Sequence, residues 1–153
     1  MMETGPLSNN THSILIGYIT WIFGFTGSHR FYYGRQITGT LWFLTFGLFL
    51  IGWIIDLFLI PGMDREADAK YTEGPTSYNI AWILLAFLGG LGVHRLYIGK
   101  WVTGLLWLLL ALTSLITFPP IALVFLLFWL FDLWTLNEQI DDRNRRLLAA
   151  YAG

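Results

Sequence analysis

Four apolar stretches, separated by short polar segments, dominate the pattern of the chain and predict membrane-spanning helices. They cover residues 13–27, 36–60, 78–93 and 101–136. A hydrocarbon core about 30 Å thick needs about 20 apolar residues in a helix. The first and third stretches are near the short limit, and the second fits one tilted span. The fourth is too long for one span, because about 36 residues of helix reach roughly 54 Å.

Two prolines interrupt the fourth stretch near its middle. Pro119-Pro120 removes helix hydrogen bonds and clashes with the preceding turn, so the helix kinks or ends there. A kinked helix gives four spans in the whole chain, whereas a hairpin gives five. We therefore predict an all-α integral membrane protein, a helical bundle with four to five transmembrane helices and a break at Pro119-Pro120.

Composition supports the membrane class. Hydrophobic residues make up 56% of the 153 residues and charged residues 12%. A soluble fold of this size cannot hide that much apolar surface. The chain has no cysteine, so it offers no disulfide or thiolate metal site. Because the amino terminus lacks the basic segment and cleavage site of a signal peptide, we expect the first stretch to be retained.

The basic residues divide unevenly between the two sides of the membrane. With five spans the division is seven to two, and with four spans it is five to four. Lys and Arg accumulate on the cytoplasmic side, so the charges favour five spans. We expect the seven to face the cytoplasm, at a plasma or inner membrane. These seven are Arg30, Arg35, Arg95, Lys100, Arg143, Arg145 and Arg146, against Arg65 and Lys70.

A motif between the apolar stretches occurs twice. Residues 27–35, GSHRFYYGR, return sixty-five positions later as residues 92–100, GVHRLYIGK. Residues 53–57, WIIDL, return seventy-six positions later as residues 129–133, WLFDL. This internal duplication defines the domain organisation. The predicted segments are a polar amino-terminal tail (1–12), a first repeat (12–60), an acidic linker (61–77), a second repeat (78–136) and a charged carboxy-terminal tail (137–153).

The order Gly-x-His-Arg-Phe-Tyr-x-Gly-Arg, then Thr-Gly, then Trp-x-x-Asp-Leu resembles the TM2 domain family. The resemblance implies two tandem TM2-like domains, each with two membrane helices joined by a short loop. His29 and His94 stand where animal members have Asp, and Leu96 replaces Phe in the second copy. The family is associated with no enzymatic activity, so the resemblance implies a fold without a catalytic mechanism.

The loop motif supplies most of the candidate site residues. Long cationic side chains at helix ends reach toward phosphate groups, and tyrosines favour the membrane interface. One histidine per loop, without a neighbouring carboxylate or cysteine, is a poor metal site, so interfacial hydrogen bonding is its expected role. The residues expected to contact lipid head groups or a partner are His29, Arg30, Phe31, Tyr32, Arg35, His94, Arg95, Tyr97 and Lys100.

Asp56 and Asp132 are candidates for intramembrane ion pairs, because each follows a long apolar run. An Asp at the centre of a membrane helix costs roughly 2.5–3.5 kcal/mol, and such acids often pair or line an ion pathway. A continuous helix from Arg35 would carry Asp56 roughly 31 Å away, to the opposite interface. A hairpin at the prolines would instead return Asp132 toward Arg95 or Lys100.

The sequence favours a membrane-embedded scaffold or accessory subunit over an enzyme. It holds no phosphate-binding glycine loop, zinc-binding histidine pair or activated nucleophile, so no cofactor, metal or catalytic residue is predicted. The expected partners are the lipid bilayer, anionic lipids, and a membrane protein or a second copy, without nucleic acid. The alternatives are a small transporter or channel that uses Asp56 and Asp132, and a lipid-binding module that uses the arginine loops.

Overall fold

The computed structural model describes residues 10–23, 27–114 and 120–153, which form helices and connecting turns without a strand. Each repeat has three longer helices and one short helix in second place. The helices are α1 (Ile14–Phe23), α2 (Ser28–Tyr32), α3 (Gln36–Phe49), α4 (Ile51–Lys70), α5 (Tyr78–Leu88), α6 (Val93–Tyr97), α7 (Trp101–Ser114) and α8 (Pro120–Ala152), with a 3₁₀ turn at Gly89–Leu91.

The helices of the first repeat run alternately up and down. At one end, the Trp21 and Trp53 rings stack with centroids 4.3 Å apart. At the other end, the Thr11 backbone N–H donates to Asp68 Oδ1 over 2.8 Å. These two contacts make α1 and α4 antiparallel neighbours. The short α2 runs back toward the other end and packs against α1 and α3.

The single span expected over residues 36–60 is wrong, because the structure has two helices there. Residues 46–50 all have positive φ values, between +49° and +70°, and they reverse the chain between α3 and α4. Only Gly47 among them is a glycine, the residue type that adopts this region without a penalty. Residues 61–70, expected to begin a linker, instead continue α4 through Pro61.

The fourth apolar stretch also forms two helices that pack together. α7 ends at Ser114 and α8 begins at Pro120, and the rings of Trp107 and Phe125 stack with centroids 4.6 Å apart. The predicted break falls partly on residues 115–119, which lie outside the described residues. α8 continues to Ala152, so the predicted tail is helical almost to its end.

Most of the described helices are shorter than a membrane is thick. One helix in the described ranges, Leu123–Ala152, is long and apolar enough to cross a bilayer by length and composition. Four shorter apolar helices accompany it, at Ile14–Phe23, Gln36–Phe49, Tyr78–Leu91 and Trp101–Thr113. A count of four to five full spans therefore does not follow from the lengths of the described helices.

The charged residues collect at one end of the bundle, which we call the polar end. It consists of residues 10–13, 33–36, 64–79, 97–101 and 137–147, which hydrogen bonds link to one another. In the described ranges it holds every Asp, Glu, Lys and Arg except Arg30, Asp56, Arg95 and Asp132. Its members are Arg35, Asp64, Arg65, Glu66, Asp68, Lys70, Glu73, Lys100, Glu138, Asp141, Asp142, Arg143, Arg145 and Arg146.

The polar end brings together two segments that the five-span hypothesis placed on opposite sides of the membrane. The linker residue Thr72 donates its N–H to Asp141 Oδ1 over 2.8 Å. Thr76 donates its N–H to Asn144 Oδ1 over 2.9 Å. The seven-to-two charge division is therefore not the arrangement in the structure. The physical reason is the extra reversal at residues 46–50, which returns α4 to the end where α3 began.

The segment before α1 is tied to the polar end by one carboxylate. Asp68 Oδ1 accepts hydrogen bonds from the Thr11 N–H, the Thr11 hydroxyl and the His12 N–H, over 2.8–2.9 Å. His12 is fully buried, and its ring lies 4.8–5.4 Å from those of Tyr32, Tyr71 and Tyr78. Burial lowers the pKa of His12 to about 4, so the ring is neutral at neutral pH and packs as an aromatic group.

Candidate functional site: two buried His-Arg-Asp clusters

The duplicated loop motif folds inward rather than lying on the surface. Gly27 and Gly92 precede α2 and α6 with φ values of +76° and +69°, a conformation that favours glycine. This turn directs the short helices back between the long ones. His29 and His94 are both fully buried as a result.

In the first repeat, α2 and α4 form a cluster around Asp56. Arg30 donates to Asp56 through Nε over 2.8 Å and through a terminal nitrogen over 2.5 Å. His29 Nε2 lies 2.7 Å from the Oδ2 atom of the same carboxylate. Asp56 is fully buried and Arg30 is 5% exposed. We call these three residues the first His-Arg-Asp cluster.

The second repeat builds the same cluster from α6 and α8. Arg95 donates to Asp132 through Nε over 2.8 Å and through a terminal nitrogen over 2.6 Å. His94 Nε2 lies 2.8 Å from Asp132 Oδ2. We call this group the second His-Arg-Asp cluster. The two sets of distances agree within 0.1 Å, so the duplicated sequence motifs adopt the same geometry in both repeats.

The hydrogen bonds identify the donor nitrogen of each histidine. The carboxylate accepts, so Nε2 carries the proton, and Nδ1 of His29 and of His94 has no hydrogen-bond partner among the described residues. In each cluster the arginine and the aspartate carry opposite charges that compensate each other. Such a paired, hydrogen-bonded group is tolerated in an apolar interior, whereas either charge alone is not.

Two further matched positions of the repeats enclose the arginines. Arg30 lies 3.6 Å from the ring centroid of Trp42, and Arg95 lies 5.4 Å from that of Trp107. Cation–π attraction is strongest where water is excluded. A Cβ atom at Gly39 would lie 3.2 Å from the Phe31 ring, so the Thr-Gly position lets α3 pack closely against α2.

The structure separates the predicted loop residues into two groups. The buried group consists of His29, Arg30, Phe31, Tyr32, His94 and Arg95. Arg35 and Lys100 lie instead at the polar end, and the Tyr97 hydroxyl accepts from the Ser77 N–H over 2.9 Å. The expectation that Arg30 and Arg95 reach lipid head groups is therefore wrong, because each already forms a bidentate pair inside the fold.

Asp56 also differs from its sequence-based placement. The expected position, roughly 31 Å from Arg35, assumed one continuous helix. The reversal between α3 and α4 instead returns Asp56 to the His-Arg segment of its own repeat. Asp132 reaches Arg95, one of the two partners considered for it under the hairpin hypothesis.

A polar junction between the repeats was missed in the sequence. Asn137 donates to the Tyr32 carbonyl over 2.7 Å and accepts from Trp82 Nε1 over 2.6 Å. Tyr32 also donates its hydroxyl to Asn79 Oδ1. Asn137 is 1% exposed. Its sequence position, directly after the last apolar stretch, indicated a solvated tail, and only the fold reveals the junction.

Comparisons with known proteins agree with the duplicated architecture. The TM2 domain family model matches residues 10–58 and 74–134. Over 60 residues, 39% of the chain, it is 48% identical to a TM2 domain-containing protein of Dictyostelium discoideum, covering 39% of that relative. A second such protein from the same organism is 50% identical over 60 residues, 39% of the chain and 44% of the relative.

The aligned part of the chain spans about two fifths of each of these relatives. No solved structure matches the chain. The family model covers more than half of the chain, in two segments that each contain one His-Arg-Asp cluster. The resemblance in the sequence motifs is thereby confirmed, and the chain belongs to the TM2 domain family.

Proposed function

We propose that this protein is a membrane-embedded scaffold or accessory subunit, in which the two His-Arg-Asp clusters are structural and carry out no catalysis. The observation that carries the proposal is the internal satisfaction of both carboxylates. Asp56 and Asp132 each accept hydrogen bonds from a histidine and an arginine, and each is at most 1% exposed. Carboxylates that are paired with side chains of another helix hold the two helices together.

Membership of the TM2 domain family suggests a membrane protein, and the surface of the bundle supports this location. The end opposite the polar end exposes large apolar side chains, including Phe23 (76%), Phe49 (84%) and Phe87 (63%). The rings of Phe23 and Phe87 lie 6.4 Å apart, and exposed apolar surface of this kind marks contact with lipid or with other proteins. A membrane-protein partner or a second copy of the chain would dock on the same apolar flanks.

The position of the charges supports entry into the membrane from a single face. α1 and α3 contain 10 and 14 residues, roughly 15 and 21 Å of helix, against a core of about 30 Å. Both helices begin at the polar end and stop at the apolar end. In this arrangement the polar end lies at the cytoplasmic face of a plasma or inner membrane, since its basic residues are retained there.

The rival function is a small transporter or channel that uses Asp56 and Asp132. Conduction needs titratable groups that change partners, or a continuous polar lining. Each carboxylate already forms a bidentate pair with the arginine of its own cluster. This pairing favours the scaffold.

Purified protein in liposomes is therefore expected to give no proton or cation flux above empty vesicles. In mild detergent, the same preparation is expected to retain a membrane-protein partner in a fixed ratio. The exposed Glu73→Gln variant serves as a control for the loss of a carboxylate at the polar end. Reproducible flux that Asp56→Asn or Asp132→Asn abolishes, but Glu73→Gln does not, would replace the scaffold by the transporter.

A further inference from the structure

A groove at the polar end gathers three cationic side chains in the second repeat. It has a volume of about 310 Å³, and Lys100, Arg143 and Arg146 line it together with Gly99, Gln139 and Leu147. Among the described residues, no carboxylate forms an ion pair with these three cations. We call this site the Lys100 groove.

Arg143 is held in the groove by the protein itself. Its Nε donates to Thr76 Oγ1 over 3.0 Å, and a terminal nitrogen donates to the Ile98 carbonyl. The guanidinium occupies the space that a side chain at position 99 would fill, which Gly99, with φ +79°, leaves open. A fixed guanidinium loses little further freedom when it binds an anion.

The electrostatics of the groove favour an anion. Burial and the positive charge of Arg95, to which Arg146 adds, lower the pKa of Lys100 below its ordinary value. Asp132 and Asp142 act in the opposite direction without reversing the shift. A bound negative charge would relieve this repulsion between cations.

The matching place in the first repeat has a cavity of about 310 Å³ lined by Gly34, Arg35, Gln36, Ile37 and Thr38, so one cation lines it instead of three. Arg35, which corresponds to Lys100, pairs with Glu66, and Lys70, which corresponds to Arg146, lies 3.2 Å from Glu138 Oε1. Ala67 stands where the second repeat has Arg143. The repeats therefore share their buried clusters but differ in the cations just outside them.

We propose that the Lys100 groove binds the phosphate group of an anionic ligand, with a phospholipid head group as the source that its surroundings fit best. Trp101 and Val102 follow Lys100 directly and are 65% and 73% exposed. They give acyl chains an apolar surface beside the cations. This inference rests on the proposed membrane function and names a lipid class for it.

The test compares two double variants with the same loss of charge. Lys100→Ala with Arg146→Ala removes two of the three cations of the groove. Arg143 keeps its hydrogen bonds to Thr76 and Ile98. Arg65→Ala with Arg145→Ala removes two cations at the polar end that do not line the groove. Native mass spectrometry of the full chain in mild detergent measures retained phosphatidylglycerol, with phosphatidylcholine as the neutral reference.

The groove variant is expected to bind phosphatidylglycerol on the order of 10- to 30-fold more weakly than wild type, and the control variant within about 3-fold. Soluble glycerol 3-phosphate is the second arm. If glycerol 3-phosphate displaces the lipid at equal concentration, the groove is a phosphate site whose ligand is a soluble phosphate compound. Equal weakening in both double variants, or no retention of either probe, overturns the proposal.

Insertion into neutral phosphatidylcholine vesicles separates this inference from the function on which it rests. If the protein inserts there, but the groove variant retains phosphatidylglycerol as well as wild type does, the proposal for the groove alone is contradicted. A chain that does not insert contradicts the proposed membrane function.

Discussion

Removing either charge of the second His-Arg-Asp cluster is expected to destabilise the protein by about 3–5 kcal/mol. Asp132→Ala leaves the Arg95 guanidinium, 8% exposed, without its carboxylate. Arg95→Ala leaves the carboxylate, 1% exposed, with only His94 as its partner. In both variants an uncompensated charge stays in an apolar interior, which costs more than the pair itself contributes.

The double variant Arg95→Ala with Asp132→Ala is expected to lose no more than either single variant, because no unpaired charge remains. Reversible unfolding in mixed micelles measures the coupling free energy by a double-mutant cycle. The control cycle uses Lys70 and Glu138, an ion pair with side chains 49% and 53% exposed, where about 0–1 kcal/mol is expected. If the losses in free energy of unfolding at Arg95 and Asp132 were additive, the two residues would not stabilise the protein as a pair.

Substitution of Gly92 by alanine is expected to lower the free energy of unfolding by about 2–4 kcal/mol. Its φ of +69° penalises any residue with a Cβ atom. The added Cβ would also lie 2.4 Å from Cδ1 of Trp107, which must move. Trp107 is 4% exposed, and its Nε1 donates to the Gly89 carbonyl over 2.8 Å, so it has little room to do so.

Gly62→Ala is the matched control for this substitution. Gly62 lies within α4, and a Cβ atom there meets nothing within 4 Å. The same chemical change is therefore expected to stabilise the helix by about 0.5–1 kcal/mol. If Gly92→Ala changed the free energy of unfolding by less than about 0.5 kcal/mol, the inward turn before α6 would not depend on glycine.

The sequence predicted the features that recur at fixed spacing. The duplicated His-Arg and Trp-x-x-Asp motifs predicted two equivalent units, and the all-helical fold of the described residues agrees with the apolar pattern. Proline signals a helix end through its own covalent structure. The hairpin hypothesis at Pro119-Pro120 therefore brought Asp132 toward Arg95.

The reversal in the first repeat carried no comparable signal. Residues 46–50 contain no proline, and Phe46, Leu48, Phe49 and Leu50 adopt positive φ although their side chains disfavour it. Gly47 alone indicated a turn. Because this reversal changes the direction of α4, its omission misplaced Asp56 and assigned the linker and the carboxy-terminal helix to opposite faces.

The burial of the loop motif was the other feature that local sequence did not reveal. Arginine beside an apolar segment is normally taken to reach toward the interface. Its partner here lies 26 residues away in the first repeat and 37 in the second, on a different helix. Only the fold brings the arginine of α2 to Asp56 on α4, and the arginine of α6 to Asp132 on α8.

Entry of the bundle into the membrane from one face is tested most directly by cysteine accessibility, because the chain has no native cysteine. Single cysteines at Asn10 and Glu73 probe the polar end, one at Gly153 probes the residue after α8, and one at Phe49 probes the end opposite the polar end. An impermeant maleimide is applied to right-side-out and to inside-out vesicles. We expect the probes at positions 10, 73 and 153 to react from the same face, and Phe49→Cys to react only after detergent is added. Reaction of Glu73→Cys from the face opposite to Gly153→Cys would contradict single-face entry and restore the five-span arrangement.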